Sequence, residues 1–260
     1  MKKCPLSTLA LLVAFGIALT GCGKTTVSTT ADSGGTPSKI TEAKLRLQPK
    51  VGDKWTLDVN LEMKFDTSQV KFPEGPEGES MKKQMGNEST LKGKLELNIE
   101  TTEVKDGKVS FKASGKAIET EATGILQQQK DALVRDITTE RTRTYSELGV
   151  VQGTEADSGS IIPFSDKPVK VGDTWDGKFS IGGPGISVTY KLVAFEQIKG
   201  KDVAKIVVQA KSLPEGTNFP TEPTFWVDLA TGMSVQTDVS ITQSAPNGAK
   251  LMMKSNQKLR

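Results

Sequence analysis

An all-β fold is predicted by three observations on this 260-residue chain. Trp55, Leu57, Val59, Leu61, Met63 and Phe65 alternate with Lys54, Thr56, Asp58, Asn60, Glu62 and Lys64. Strict period two over such a length makes one strand face apolar and the other polar, as in an antiparallel sheet with one side wet. Second, glycine-containing turns separate alternating runs, as at Lys105-Asp106-Gly107-Lys108 and Ala245-Pro246-Asn247-Gly248. Asp-Gly and Asn-Gly supply the positive φ angles that a tight hairpin needs. Third, Lys50-Val51-Gly52-Asp53-Lys54-Trp55 recurs as Lys170-Val171-Gly172-Asp173-Thr174-Trp175, with only Lys54 and Thr174 differing. Repetition at a fixed offset signals duplication of a structural unit.

Taken in order, the first strand starts at Lys54, and Leu91-x-Gly-x-Leu95-x-Leu97-x-Ile99 makes the second. After the Asp106-Gly107 turn, Val109-x-Phe111-x-Ala113 makes the third. Further strands are expected at 133–145, 174–182, 186–198, 203–211, 224–229, 233–243 and 249–259. No segment reads as a long helix. The expectation is an antiparallel meander of about ten or eleven strands, forming a curved sheet, barrel or half-barrel. Residues 44–260 then form one domain of two repeats, about 44–153 and 161–243, closed by a C-terminal strand.

Upstream, the chemistry is different. Lys2 and Lys3 precede the apolar run Leu9–Ala18, and small residues follow. That is the order of a secretory signal over 1–21, too short to span a bilayer. Leu19-Thr20-Gly21-Cys22 resembles the lipobox of bacterial lipoproteins, which implies acylation of Cys22, as by a palmitate chain, and membrane attachment through that lipid. Gly23 follows in place of the aspartate that retains many such proteins at the inner membrane. The resemblance therefore implies the outer membrane where one exists, and otherwise the outer face of the plasma membrane. Residues 22–43 are polar, rich in Ser, Thr and Gly, and read as a flexible tether reaching on the order of 25 Å.

Composition narrows function. There is no histidine, which removes Ser-His-Asp and Cys-His catalysis and most zinc sites. Of 34 basic residues against 31 acidic, Lys2 and Lys3 leave with the leader. The near-neutral remainder gives no clustered positive excess, and so no nucleic-acid partner. Cys4 also leaves, and an acylated Cys22 excludes a disulfide. The expectation is a non-enzyme without metal or cofactor.

Candidate sites are few. Gly23-Lys24-Thr25 mimics the end of a phosphate loop, but Ala18 stands where the required glycine would be. Glu74, Glu77 and Glu79 gather in a Pro/Gly-rich loop without EF-hand spacing, so a solvated loop is favoured over calcium. Met81 and Met85 then give one amphipathic turn or a loop. Gly-Asp-x-Trp reads as turn chemistry plus a buried anchor. Arg135, Arg141 and Arg143 share one face of the expected 133–145 strand, which normally marks the solvent side; were that face to line a cavity, they would bind an anionic headgroup or a polysaccharide carboxylate.

The chain resembles a group of uncharacterised bacterial lipoproteins and secreted proteins. The likeness rests on the Lys-x-Gly-Asp-x-Trp entry, on Pro163-Phe-Ser-Asp-Lys-Pro168-Val-Lys-Val-Gly-Asp-Thr-Trp175 and on Trp226-Val-Asp228-Leu-Ala-Thr-Gly232, and it covers most of residues 45–243. It implies the architecture and no activity. The expected role is an envelope lipoprotein that binds or carries an apolar or amphiphilic ligand. The alternative is a structural or interaction lipoprotein that contacts another envelope component.

Overall fold

The computed structural model describes residues 35–152, 161–179, 186–213 and 216–260; the signal segment, the lipobox and Cys22 lie outside them. The fold is all-β, with one twelve-stranded antiparallel sheet that does not close into a barrel.

The first half runs β3 (Lys54–Asp66), α1 (Pro76–Met85), β4 (Glu88–Lys105), β5 (Lys108–Ala122), α2 (Gly124–Thr138) and β6 (Arg141–Ser146). The second runs β8 (Thr174–Phe179), β9 (Ile186–Ile198), β10 (Lys201–Ala210), β11 (Thr217–Asn218), β12 (Thr224–Asp228) and β13 (Ser234–Ser244). Last comes β14 (Lys250–Leu259), which pairs with β13 on one side and β3 on the other. The final strand is thus the seam between the two halves.

The duplication is visible in hydrogen bonds. In each motif the aspartate carboxylate accepts the lysine N–H, Asp53 from Lys50 at 2.7 Å and Asp173 from Lys170 at 2.8 Å. The glycine N–H then reaches the neighbouring strand, Gly52 to Thr101 O and Gly172 to Leu192 O. Each next strand pair closes on a tight turn with two positive φ angles, at Asp106-Gly107 and Lys199-Gly200.

Alternation decides which face is dry. Leu57, Val59, Leu95, Ile99, Phe111, Val188, Tyr190, Ile206 and Phe225 belong to one buried core that both halves share. Two connecting segments fill this face. Leu45 and Leu47 lead into the first repeat, and Ile161, Ile162 and Phe164 into the second; all five are buried. The segments also join as a two-stranded ribbon, β2 (Glu42–Ala43) with β7 (Val169–Lys170). Arg46 secures them, donating to the Ser165 and Asp166 carbonyls at 2.6 and 2.7 Å.

Each segment lies over the closing turn of the opposite repeat. Phe164 N–H donates to Leu148 O, and Gln48 N–H to Thr231 O. Next to these carbonyls stand Gly149 and Gly232, at φ 76° and 73°. A Cβ on either would strike a backbone carbonyl, of Ile162 and Arg46 respectively.

Three expectations need correction. Two helices interrupt the first half. Leu126, Gln127, Gln128, Lys130, Ala132 and Arg135 are good helix formers, so α2 forms where part of the 133–145 strand was expected. Second, the tether does not stay free to residue 43: β1 (Thr36–Pro37) pairs with Gln197 and Glu196, and β2 pairs with β7. Ser38 Oγ fixes this by donating to Asp202 Oδ1 at 2.7 Å. Third, α1 is a helix rather than a solvated loop, started by Pro76, whose fixed φ suits the first helical position.

Candidate functional site

On the face opposite the shared core, the register aligns side chains across seven strands, polar on six of them. Val207 faces Thr224, Thr224 faces Asp238, then follow Asn256, Asn60, Lys94 and Glu119, each opposite the next. Two residues along each strand, a second row runs Ser240, Lys254, Glu62, Lys92 and Glu121. Both rows line a cleft of 1310 Å³, which Pro220, Thr221 and Glu222 wall at one end.

These residues reach one face because β-strand side chains alternate. Asn60 and Glu62 are the outward partners of Leu61 and Met63, as Lys92 and Lys94 are of Leu91 and Leu95. The long, matched strands β3, β4 and β14 carry the rows without interruption.

Charges alternate along the second row: Lys254 positive, Glu62 negative, Lys92 positive, Glu121 negative. Opposite charges directly across strands stabilise a ladder modestly. In the first row the Lys94 amino group lies 2.7 Å from Glu119 Oε2. That hydrogen bond holds the Glu119 carboxyl below its ordinary range and the Lys94 amine above its own. Asn256 Nδ2 donates to Asp238 Oδ1. Farther along the same face, Arg260 bridges Asp58 at 2.7 Å and Glu96 at 2.8 Å. Asn98 and then Arg260 hydrogen-bond Glu96 and depress its carboxyl.

At the other end the site is partly dry. Lys205 lies 5.3 Å from the Trp226 ring centroid, and the Trp226 indole donates to Glu196 Oε2 at 3.0 Å. Val193 and Val207 complete this end. The cleft therefore offers alternating charge from Lys254 to Glu121 and, at the other end, Val193, Val207 and Pro220 beside the charged Lys205 and Glu222.

Such a surface can recognise an extended molecule by many modest polar contacts. A paired-carboxylate reaction needs one acid held protonated near neutral pH. Asp66, Glu96, Glu119, Asp176 and Asp202 are all shifted the other way, by hydrogen bonds to their charged forms. Among the described residues no three of Asp, Glu, Cys or His converge as metal ligands, Glu74, Glu77 and Glu79 included.

The three arginines do not share a strand face. Arg135 is exposed on α2, whereas Arg141 and Arg143 are on β6 at the edge of the sheet, opposite Ala113 and Phe111. None of them lines the cleft. The cleft residues themselves read from the sequence as an ordinary solvent face. Only the register, which places Asn60 beside Asn256 and Lys94, reveals the continuous rows.

No protein-family model matches the chain, and no curated protein matches it.

Proposed function

We propose that this protein is a membrane-anchored lipoprotein of the bacterial envelope, and that its folded part is a non-catalytic binding module working through the polar cleft. One observation carries the binding reading. The apolar face is filled by the chain's own segments, Leu45–Leu47 and Ile161–Phe164, whereas the opposite face carries a 1310 Å³ cleft. A ligand matched to it is elongated and polar or amphiphilic, with its apolar portion at the Val193–Val207 end. The anchor rests on the signal-like leader and on Cys22. Among the described residues no helix is long and apolar enough to cross a membrane.

Native mass spectrometry tests the binding. Protein purified without detergent from its own host is compared with Asn60→Trp, which places a bulky ring in the middle of the first row. The expected result is a reproducible added mass that organic extraction removes and that Asn60→Trp lacks. An added mass equal in both proteins contradicts the cleft. A bare mass in both points instead to a structural lipoprotein that contacts another envelope component. For the anchor, Cys22→Ala should release the protein from membranes; full retention would contradict acylation at that residue.

A further inference from the structure

The strand ends divide between two rims. Because every neighbouring pair is antiparallel, β3, β5, β8, β10 and β13 start where β4, β6, β9, β12 and β14 end. This rim holds both Lys-Val-Gly-Asp turns, the Lys105–Lys108 hairpin and the Ser146–Val150 turn. Among the described residues, four of the six exposed large apolar side chains sit here: Val51 at 62 %, Val171 at 56 %, Val150 at 50 % and Val104 at 44 %. Turn tips normally carry polar residues. An apolar residue at the same position of both repeats, joined by two more on adjacent turns, is therefore a feature to explain.

Hydrogen bonds gather these turns. Leu47 N–H donates to Glu147 O and its neighbour Gln48 N–H to Thr231 O, so the closing turns of both halves meet beside the segment that leads to Val51. Glu147 N–H donates to Gly107 O and draws in the hairpin that follows Val104. The chain also enters at this rim, because Thr36 and Pro37 pair with Gln197 and Glu196, just before the Lys199-Gly200 turn. Residues 23–34 separate Cys22 from Gly35 and cannot span more than about 45 Å even fully extended. The chain enters beside β9, whose thirteen residues measure about 43 Å, so only a nearly full extension would carry the lipid to the opposite rim. A flexible segment of that length typically reaches about 20 Å, so a lipid on Cys22 favours the entry rim.

We propose that this rim is a membrane-facing surface, with Val51, Val104, Val150 and Val171 entering the headgroup layer of a lipid bilayer. The orientation rests on the reading of Cys22 as the lipidated residue. The contact is made mainly by the apolar tips. Lys50, Lys105 and Lys108 are exposed and enter no salt bridge among the described residues, but Glu103 and Asp106 on the same hairpin offset them. Binding should therefore depend only weakly on salt. The cleft rows cross β3 at Asn60 and Glu62, about 20 Å along the strand from Lys54, clear of the headgroups.

The test uses Val51→Cys, Val171→Cys, Met81→Cys and Ile118→Cys in the full lipidated chain, whose Cys22 sulfur is consumed by the lipid. Each is labelled with a polarity-sensitive fluorophore and reconstituted in vesicles of phosphatidylethanolamine and phosphatidylglycerol. Probes at 51 and 171 should shift to the blue and be quenched by brominated lipid several-fold more than probes at 81 and 118. Equal quenching at all four positions, or stronger quenching at 81, would overturn the proposal. Intact mass of the same samples reports Cys22 acylation separately. Should Cys22 prove bare, the four variants are repeated in a Cys22→Ala background with the same vesicles. A vesicle-dependent blue shift at 51 and 171 then still supports the rim, and its absence overturns it.

Discussion

The two repeats use the same turn and put its tryptophan to different uses. Trp55 is buried, edge-on to Phe111 with ring centroids 6.2 Å apart. Trp175 is half-buried, stacked on Tyr190 at 5.8 Å, and donates its indole N–H to Pro163 O at 2.8 Å. Turn geometry survives duplication because it is local: a glycine with positive φ and an aspartate accepting the lysine N–H. The tryptophan depends on what lies over it, and that differs. β3 is thirteen residues long and is flanked by strands on both sides, whereas β8 has six residues and among the described residues pairs only with β9.

The largest expected effect comes from the seam. Deleting 249–260 removes β14 and uncovers the edges of β3 and β13, so the halves lose their hydrogen-bonded bridge. The truncated chain should show no cooperative thermal transition by circular dichroism; one that melts like the parent would mean that the shared core alone suffices. Next come the paired glycines. Gly149→Ala and Gly232→Ala force a Cβ against a backbone carbonyl at positive φ, and each should cost about 3–5 kcal/mol in denaturant unfolding. Gly52→Ala and Gly172→Ala meet open space at similar φ and should cost about 1–2 kcal/mol. If all four cost the same, the exchange of segments between halves adds nothing beyond turn strain.

Trp55→Ala should cost about 3–5 kcal/mol, as a buried ring replaced by a cavity. Trp175→Ala should cost about 2 kcal/mol, because part of its surface is already wet. Asp53→Ala and Asp173→Ala should each cost about 1 kcal/mol and match within error, since each removes the same exposed turn bond. Unequal values would show that the two turns are not equivalent in energy.

The smallest effect concerns pH. Lys94 hydrogen-bonds Glu119 in the first half, and Lys211 hydrogen-bonds Asp176 in the second, lowering both carboxyl pKa values. A folded pKa below the unfolded one contributes stability above the unfolded value, lost as pH falls through the folded one. Both pairs are exposed, so the gain is slight. Glu119→Gln and Asp176→Asn should each flatten the acid limb of stability slightly: the small loss is present at neutral pH and disappears as pH falls through the folded carboxyl pKa.

Much of this fold was legible because its signals are local. Period two along Lys54–Phe65, the Asp106-Gly107 turn and the repeated Lys-Val-Gly-Asp each specify backbone without help from distant residues. α2 is hard to read because Val134 and Ile137 carry strand propensity in a window whose helix rests on Leu, Gln, Lys and Ala. The cleft was illegible for another reason. Asn60 or Lys94 alone is an ordinary polar strand residue, and only the register of seven strands turns them into rows. Docking of Thr36–Pro37 and Glu42–Ala43 depends likewise on partners more than a hundred residues away.

The central claim is a division of labour between faces, the apolar one spent on folding and the polar one kept for binding. It is tested most directly by photo-crosslinking in the living host, with a photoreactive residue at Asn60 in the cleft and, separately, at exposed Gln48 beside the filled face. The account predicts one discrete crosslinked species from position 60 that position 48 does not give. The same species from both positions, or one from position 48 alone, would contradict it.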